Sequence, residues 1–373
     1  LSSDDLDRLV AELDGADRRA PPAEARLDEW LRLMSDRQAS DLLLLPGEPP
    51  SLRIQGAVVR TDGAVLDGLD VEELVAAVLP PHALADYRQG RPADASRRLA
   101  GLGRFRIHLH RERGRAAAAI RMIAARVPLL ATLDLPPGAE MLSRIPRGLV
   151  IVGGPTGSGK TTTVAATVEE INRRDARHII TIEDPIEYEH SNQRSIIQQI
   201  EVGVDAPDFP TALRSALRQA PDVLVIGEMR DPETMRIALA AGETGHLVLT
   251  TLHTTDVAST IGRIGDSFPP ERQPTIRQEI AAALSAVFVE TLLPRIGGGR
   301  VPAAELLVVG YGARQHIRRN LLHQLHQEIT VTRKQGSFTL EDCLADLVRR
   351  GVVDRAEAAF RANHPEEFAL ALG

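Results

Sequence analysis

Residues 153–163 read Gly-Gly-Pro-Thr-Gly-Ser-Gly-Lys-Thr-Thr-Thr. Gly154 to Thr161 match the spacing G-x-x-x-x-G-K-[ST], whose chemistry is phosphate capture. Gly157 and Gly159 let the backbone curl so that amide N–H groups face inward around phosphate oxygens, and the start of a following helix adds a positive dipole. Lys160 then reaches the β- and γ-phosphates and Thr161 holds Mg²⁺. Pro155, Thr156, Ser158 and Thr162 complete the candidate cradle for ATP. The apolar run Leu149–Val152 before it and the helix-compatible run Val164–Ile171 after it put the loop between a buried strand and a helix.

Three further stretches supply groups that could act on a bound phosphate. In DVLVIGEMRD (222–231) an apolar strand delivers Glu228 to a sheet end, where a carboxylate can polarise the attacking water or hold a metal-bound water. A standard acidic strand-end motif would place Asp where Gly227 stands. In ITIEDPIEYEH (180–190), Glu183, Asp184 and Glu187 end a second strand that Pro185 stops, and such carboxylates can share Mg²⁺ waters. In GHLVLTTLHTT (245–255), His246 and His253 bracket a third strand. His253, after the strand, is the better candidate to sense a γ-phosphate; His246 is as readily structural. Arg104, Arg106 and Arg121 lie upstream, and Arg106 and Arg121 sit on or beside apolar strands, where a guanidinium needs an anion and could serve as an arginine finger.

These groups need a scaffold. From 148 onward strand and helix patterns alternate, which implies a parallel sheet covered on both faces. The segment 269–373 reads as mostly helical, with a Gly-Gly-Gly turn at 297–299 and a strand-like PAAELLVV. Upstream, a helix over 27–40 with Leu27, Trp30, Leu31 and Met34 on one face, paired strands around 40–60, a helix over 71–79 and an alternating strand over 102–114 make a small α+β domain. The expected divisions are an acidic extension 1–26, a small domain 27–126, a proline-bearing linker 127–147, an ATPase domain 148–305 and a helical region 306–373.

The bulk properties bound the function. The 373 residues are enough for two domains. A net charge of −7 and 3% aromatic residues argue against a nucleic-acid-coating or single-strand-threading protein, which needs basic grooves and stacking rings. Cys343 is the single cysteine, so neither an intrachain disulfide nor a CxxC zinc knuckle is available, which suits a reducing cytoplasm. No apolar run is as long as the roughly 18 residues of a membrane span, and no signal peptide is visible.

Together, in order and spacing, the four motifs resemble those of the hexameric secretion and pilus motor ATPases, and within them the PilT-like twitching-motility retraction ATPases. GGGRVPAAELL and TLEDCLADLVRRG are similar to C-terminal features of that family. The resemblance runs from about Leu27 to Val353. It implies a RecA-like P-loop ATPase domain, a smaller PAS-like N-terminal α+β domain and a helical C-terminal tail. It further implies a homohexamer, a place in the cytoplasm at the inner membrane, the inner-membrane pilus platform protein as partner, and a paralogous pilus ATPase as a further partner. Carried over by residue, Lys160 and Thr161 serve phosphate and Mg²⁺, Glu228 activates water and joins Glu183 as metal ligand, and His253 senses the γ-phosphate. Arg106 and Arg121 are the arginines that reach the nucleotide on domain closure. Four departures stand out: Leu43 in place of His, Ile200 in place of Arg, Ala220 in place of an acidic residue, and Arg319 in place of Glu within GARQHIRR (312–319). They leave the ATPase core intact and bear on output, hence the alternatives of an accessory PilU-like ATPase or another secretion ATPase.

Overall fold

The computed structural model describes residues 22–54, 56–123 and 127–373. The expected extension 1–26 therefore falls outside the described residues except for 22–26. Two compact units divide the chain between Ala125 and Arg126.

The first unit is α+β. Helix α1 (Ala23–Asp36) buries Leu27, Leu31 and Met34, a stripe at i, i+4 and i+7. Strands β1 (Asp41–Leu44), β2 (Ser51–Ile54) and β3 (Ala57–Arg60) follow, then helices α2 (Gly68–Ala76) and α3 (Pro81–Arg88), then β4 (Ala93–Leu99), β5 (Gly103–Glu112) and β6 (Arg115–Ile123). Asp67 starts α2 through a reciprocal capping box with Asp70. The six strands form one antiparallel sheet in the order β3-β2-β1-β6-β5-β4. Alternation along β5 buries Phe105, Ile107 and Leu109 and turns Arg104, Arg106 and His108 to the other face.

The second unit is built on β7 (Gly148–Gly153), α4 (Lys160–Arg174), β8 (His178–Glu183), β9 (Ile196–Glu201), α5 (Phe209–Ala216), β10 (Val223–Ile226), α6 (Pro232–Glu243) and β11 (Leu247–Leu252). It continues with α7 (Val257–Asp266), α8 (Gln273–Ala283), β12 (Leu284–Pro294), β13 (Arg300–Val308) and α9 (Tyr311–Arg318). Helices α10 (Leu325–Val331), α11 (Leu340–Arg349), α12 (Arg355–Arg361) and α13 (Pro365–Leu372) complete it. The sheet runs β13-β12-β7-β11-β10-β8-β9, parallel throughout except where β13 returns beside β12. Period-two alternation loads both faces. Val150 and Val152 pack with Val164 and Val168 of α4 on one side, while Leu149 and Ile151 pack with Ile261 and Ile280 on the other.

Two strands of the second unit differ from the sequence reading. The segment expected to be mostly helical contributes an 11-residue strand, β12, paired with the strand-like PAAELLVV across the glycine turn. Its run LSAVFVETLL is almost continuously apolar, and periodicity cannot separate a doubly buried strand from a buried helix. Strand β9, at the sheet edge, also went unread because its Gln198, Gln199 and Glu201 mask it. The stretch 127–147, expected as a linker, is partly packed within the second unit: Ala139 and Leu142 are buried in the cluster around Val150, and Arg174 of α4 donates to the Ser143 carbonyl.

Candidate active site

Parallel strands bring their C-terminal ends to one sheet edge. Gly153 pairs with Leu252, and Ile226 lies in register with Ile182 and Thr250. The loop after β7, the carboxylates after β8 and β10 and the histidine after β11 therefore converge there, as ligand sites of open α/β sheets do.

The loop 154–159 runs against the backbone of β12. Gly154 has φ +151°, and a Cβ there would lie 2.4 Å from both the Glu290 carbonyl oxygen and Ser158 Oγ, so no side chain fits. Gly159 caps α4 at φ +108°, a left-handed conformation that glycine adopts without strain. Lys160 is buried, and its Nζ donates to the Pro155 carbonyl at 2.8 Å, folding the side chain back across the loop. Burial holds its pKa below the ordinary lysine value, against the pull of Glu290, Glu228 and Glu187. Ser158 Oγ is buried without a hydrogen-bond partner among the described residues, and Thr162 Oγ1 meets the Tyr188 hydroxyl at 2.9 Å. A loop in which Gly154 admits no side chain, a buried hydroxyl and a lysine held across it suit a phosphate chain.

Thr161 and Glu183 line one small cavity of about 30 Å³ with Tyr188, His190 and Gly227, room for about one water. Glu183 accepts from Thr181 Oγ1 at 2.6 Å and Gln199 Nε2 at 3.1 Å, and burial pushes its pKa up. A hydroxyl and a carboxylate around such a space are hard oxygen donors of the kind Mg²⁺ takes.

Glu228 sits just past β10. Burial raises its pKa, but the Arg230 hydrogen bond and charge, with His253, carry it below the usual carboxylate range. Its Oε2 lies 2.8 Å from Arg230 Nη2, and its Oε1 lies 3.4 Å from His253 Nε2. The other ring nitrogen, His253 Nδ1, is 3.4 Å from Thr156 Oγ1. One imidazole thus links the phosphate loop to an ionised carboxylate.

The remaining candidates go elsewhere. His246 lies at the opposite end of β11, where its Nδ1 meets the Ala241 carbonyl at 3.2 Å, a structural role. In the first unit, Arg106 and Arg121 face each other across β5 and β6. Arg121 Nε pairs with Asp41 at 2.8 Å and Arg106 Nη2 with Asp94 at 3.5 Å, so each has a carboxylate of its own sheet as its anion. Arg104 donates to Ser96.

Glu290 is the site residue that the sequence reading passes over. It lies on β12, is 2% exposed, and its Oε2 accepts from Thr163 Oγ1 at 2.9 Å beneath the phosphate loop. Its Oε1 has no hydrogen-bond partner among the described residues, and a Cβ on Gly159 would lie 3.4 Å from it. Burial pushes its pKa up to about 8, against Thr163 and Lys160. A lone acid within LSAVFVETLL was the available signal, hidden by reading that segment as helix. Tyr188, Gln199 and Arg230 were likewise not singled out.

Comparison with known proteins gives the chain its family. Residues 135–298 match the model of the family described as type II/IV secretion system protein. The chain is 40% identical over 342 residues to the type IV pilus retraction ATPase PilT of Pseudomonas aeruginosa, covering 92% of this chain and 99% of that one. It is 35% identical to the type IV pilus ATPase PilU of the same organism, over 92% of this chain and 90% of that one. A crystal structure of the pilus retraction motor PilT with bound ADP superposes with a TM-score of 0.85 at 38% identity, covering 92% of this chain and 98% of that one.

Proposed function

Since the chain belongs to the PilT-type twitching-motility ATPases of the type II/IV secretion family, we propose that it works as a homohexameric motor that converts ATP hydrolysis into type IV pilus retraction. It binds nucleotide and is an ATP hydrolase. Among the described residues no helix is long and apolar enough to cross a membrane. The motor would act from the cytoplasmic side of the inner membrane on the platform protein at the pilus base.

In this reading the amide N–H groups of Thr156, Gly157 and Gly159 and the Lys160 ammonium receive the β- and γ-phosphates once Lys160 leaves the Pro155 carbonyl. Thr161, Glu183 and Glu228 are the groups that would hold Mg²⁺, which when bound neutralises charge on the phosphate oxygens. Glu228, kept ionised by Arg230, polarises the attacking water and accepts its proton. His253 reports the γ-phosphate to Glu228 and to Thr156. Arg106 and Arg121 exchange their carboxylate partners for the nucleotide when the domains close.

The observation that carries this reading is the link from Thr156 through His253 to Glu228 at the end of the parallel sheet. It is tested by ATP turnover of the chain beside Lys160→Ala and Glu228→Gln, with the assembly mass from light scattering. Turnover by a hexamer, abolished in both variants, supports the motor, and restoration of twitching to a retraction-deficient strain supports the output. A monomer without turnover rejects both.

An accessory role is the second reading, favoured by Ile200. Where the family resemblance expects arginine, Ile200 is an apolar side chain buried among Ile180, Ile182 and Leu213. A hexamer that hydrolyses ATP but retracts pili only beside a paralogous pilus ATPase selects this reading.

A further inference from the structure

Far along the chain from the phosphate loop, the second unit gathers three metal-binding side chains. His326 is on α10, His364 is the residue before α13, and Glu367 is in the first turn of α13. Their ligand atoms lie within 4.8 Å of one another. His326 Nε2 is 2.8 Å from Glu367 Oε2, and the two imidazole rings lie 4.0 Å apart, tilted by 36°.

The backbone under this group is anchored. The His364 N–H donates at 2.8 Å to Glu341 Oε1, a carboxylate buried on α11. Phe368, one residue past Glu367, is buried against Leu340 and Leu344 of the same helix. The His364 side chain makes no capping bond to α13, so its ring is not committed to the helix end. A cavity of about 440 Å³ opens beside the pair, lined also by His323, Asn363 and Asp256.

We propose that His326, His364 and Glu367 form a zinc site that ties α13 to α10. Two imidazole nitrogens and one carboxylate oxygen are a donor set that suits Zn²⁺, and the adjoining cavity leaves the fourth position to water. Bond lengths of about 2.0–2.2 Å need neighbouring donors roughly 3.3–3.5 Å apart. The His326–Glu367 contact at 2.8 Å has to lengthen by roughly half an ångström or slightly more, and the remaining donor pairs, all within 4.8 Å, have to settle to the same spacing, which the half-exposed Glu367 side chain allows. The site is distinct in residues and chemistry from the Mg²⁺ position, where the donors are oxygens alone. Closing the 38-residue span between His326 and His364 would make docking of the last helix depend on zinc.

The test uses the full chain, stripped with chelator and then dialysed, with zinc chloride alone as the probe and no nucleotide. Calorimetry should show one zinc per chain and a rise in thermal midpoint that chelator reverses. His326→Ala and His364→Ala should each weaken binding by at least about tenfold, since loss of even an outer-shell partner costs about ten- to a hundredfold. Glu367→Gln should weaken it less than either. Cobalt(II) on the unmodified chain gives a reading that does not depend on any variant folding: intense four-coordinate visible bands support the site. Only the weak bands of the hydrated ion, no zinc uptake by the chain, or unchanged uptake by a folded His326→Ala/His364→Ala variant would overturn it.

Discussion

His253 Nε2 lies 3.4 Å from Glu228 Oε1 although the two residues end different strands. The contact exists because β10 and β11 are parallel neighbours in register, Ile226 beside Thr250, so their exits face each other. It makes the Glu228 carboxylate and the His253 imidazole a single unit that reaches the phosphate loop through Thr156.

Replacing Glu228 by Gln should therefore lower kcat by about 10²–10⁴, the range for loss of a general base, while ATP binding persists. His253→Asn should lower kcat less and should raise KM, because the link to Thr156 is lost as well. Steady-state turnover beside equilibrium binding of a fluorescent nucleotide separates the two effects. Equal loss of binding and turnover in Glu228→Gln would contradict the role of water activation.

Gly154→Ala tests the loop's dependence on a bare backbone. The new methyl would meet the Glu290 carbonyl oxygen and Ser158 Oγ at 2.4 Å with φ at +151°. Displacing the loop should abolish measurable nucleotide binding and destabilise the fold by about 1–3 kcal/mol, the cost of a side chain held in such a conformation. Urea denaturation and nucleotide titration read the two consequences. Unaltered ATP affinity would show that the loop tolerates displacement from β12.

Glu290 and Glu305 should make stability depend on pH. Both are buried carboxyls with pKa pushed up by desolvation to about 8; Glu305 accepts the Val257 N–H at 2.7 Å at the start of α7. The folded chain thus holds more protons than the unfolded chain between about pH 4.5 and about pH 8, so their contribution is complete below that window and is lost as pH rises through it. The thermal midpoint should fall from about pH 6 to about pH 9, and Glu290→Gln and Glu305→Gln should each flatten the slope. A slope unchanged in both variants would assign the dependence to other groups.

Arg121→Ala separates an ion pair from a catalytic contact. The side chain is 71% exposed while its partner Asp41 is largely buried and keeps Arg53 at 3.4 Å, so loss of the pair should cost on the order of 1 kcal/mol. If Arg121 reaches nucleotide in the working assembly, the variant should lose at least about tenfold in turnover, as a weak arginine finger would, with an almost unchanged melting temperature. Full turnover would return Arg121 to a structural role in its sheet.

The phosphate loop was legible because it is local: eight consecutive residues between an apolar run and a helix carry their own geometry and chemistry. Glu228, Glu183 and His253 were legible because each ends an apolar strand, and parallel strands deliver their ends to one edge. The same logic failed for Glu290. It is separated from Thr163 by 127 positions and reaches the loop only because β12 runs beside β7. Strand order is set by long-range pairing, which no local period encodes. His326, His364 and Glu367 show the same limit, since only the docking of α13 on α11 and beside α10 brings them together. Sequence alone determined the phosphate-loop chemistry and the approximate course of the apolar strands that precede the loop, Glu183, Glu228 and His253. The tertiary structure decided which buried acid lies under the phosphate loop, which arginines already hold a carboxylate and which histidines meet, because those depend on neighbours across the sheet and between helices.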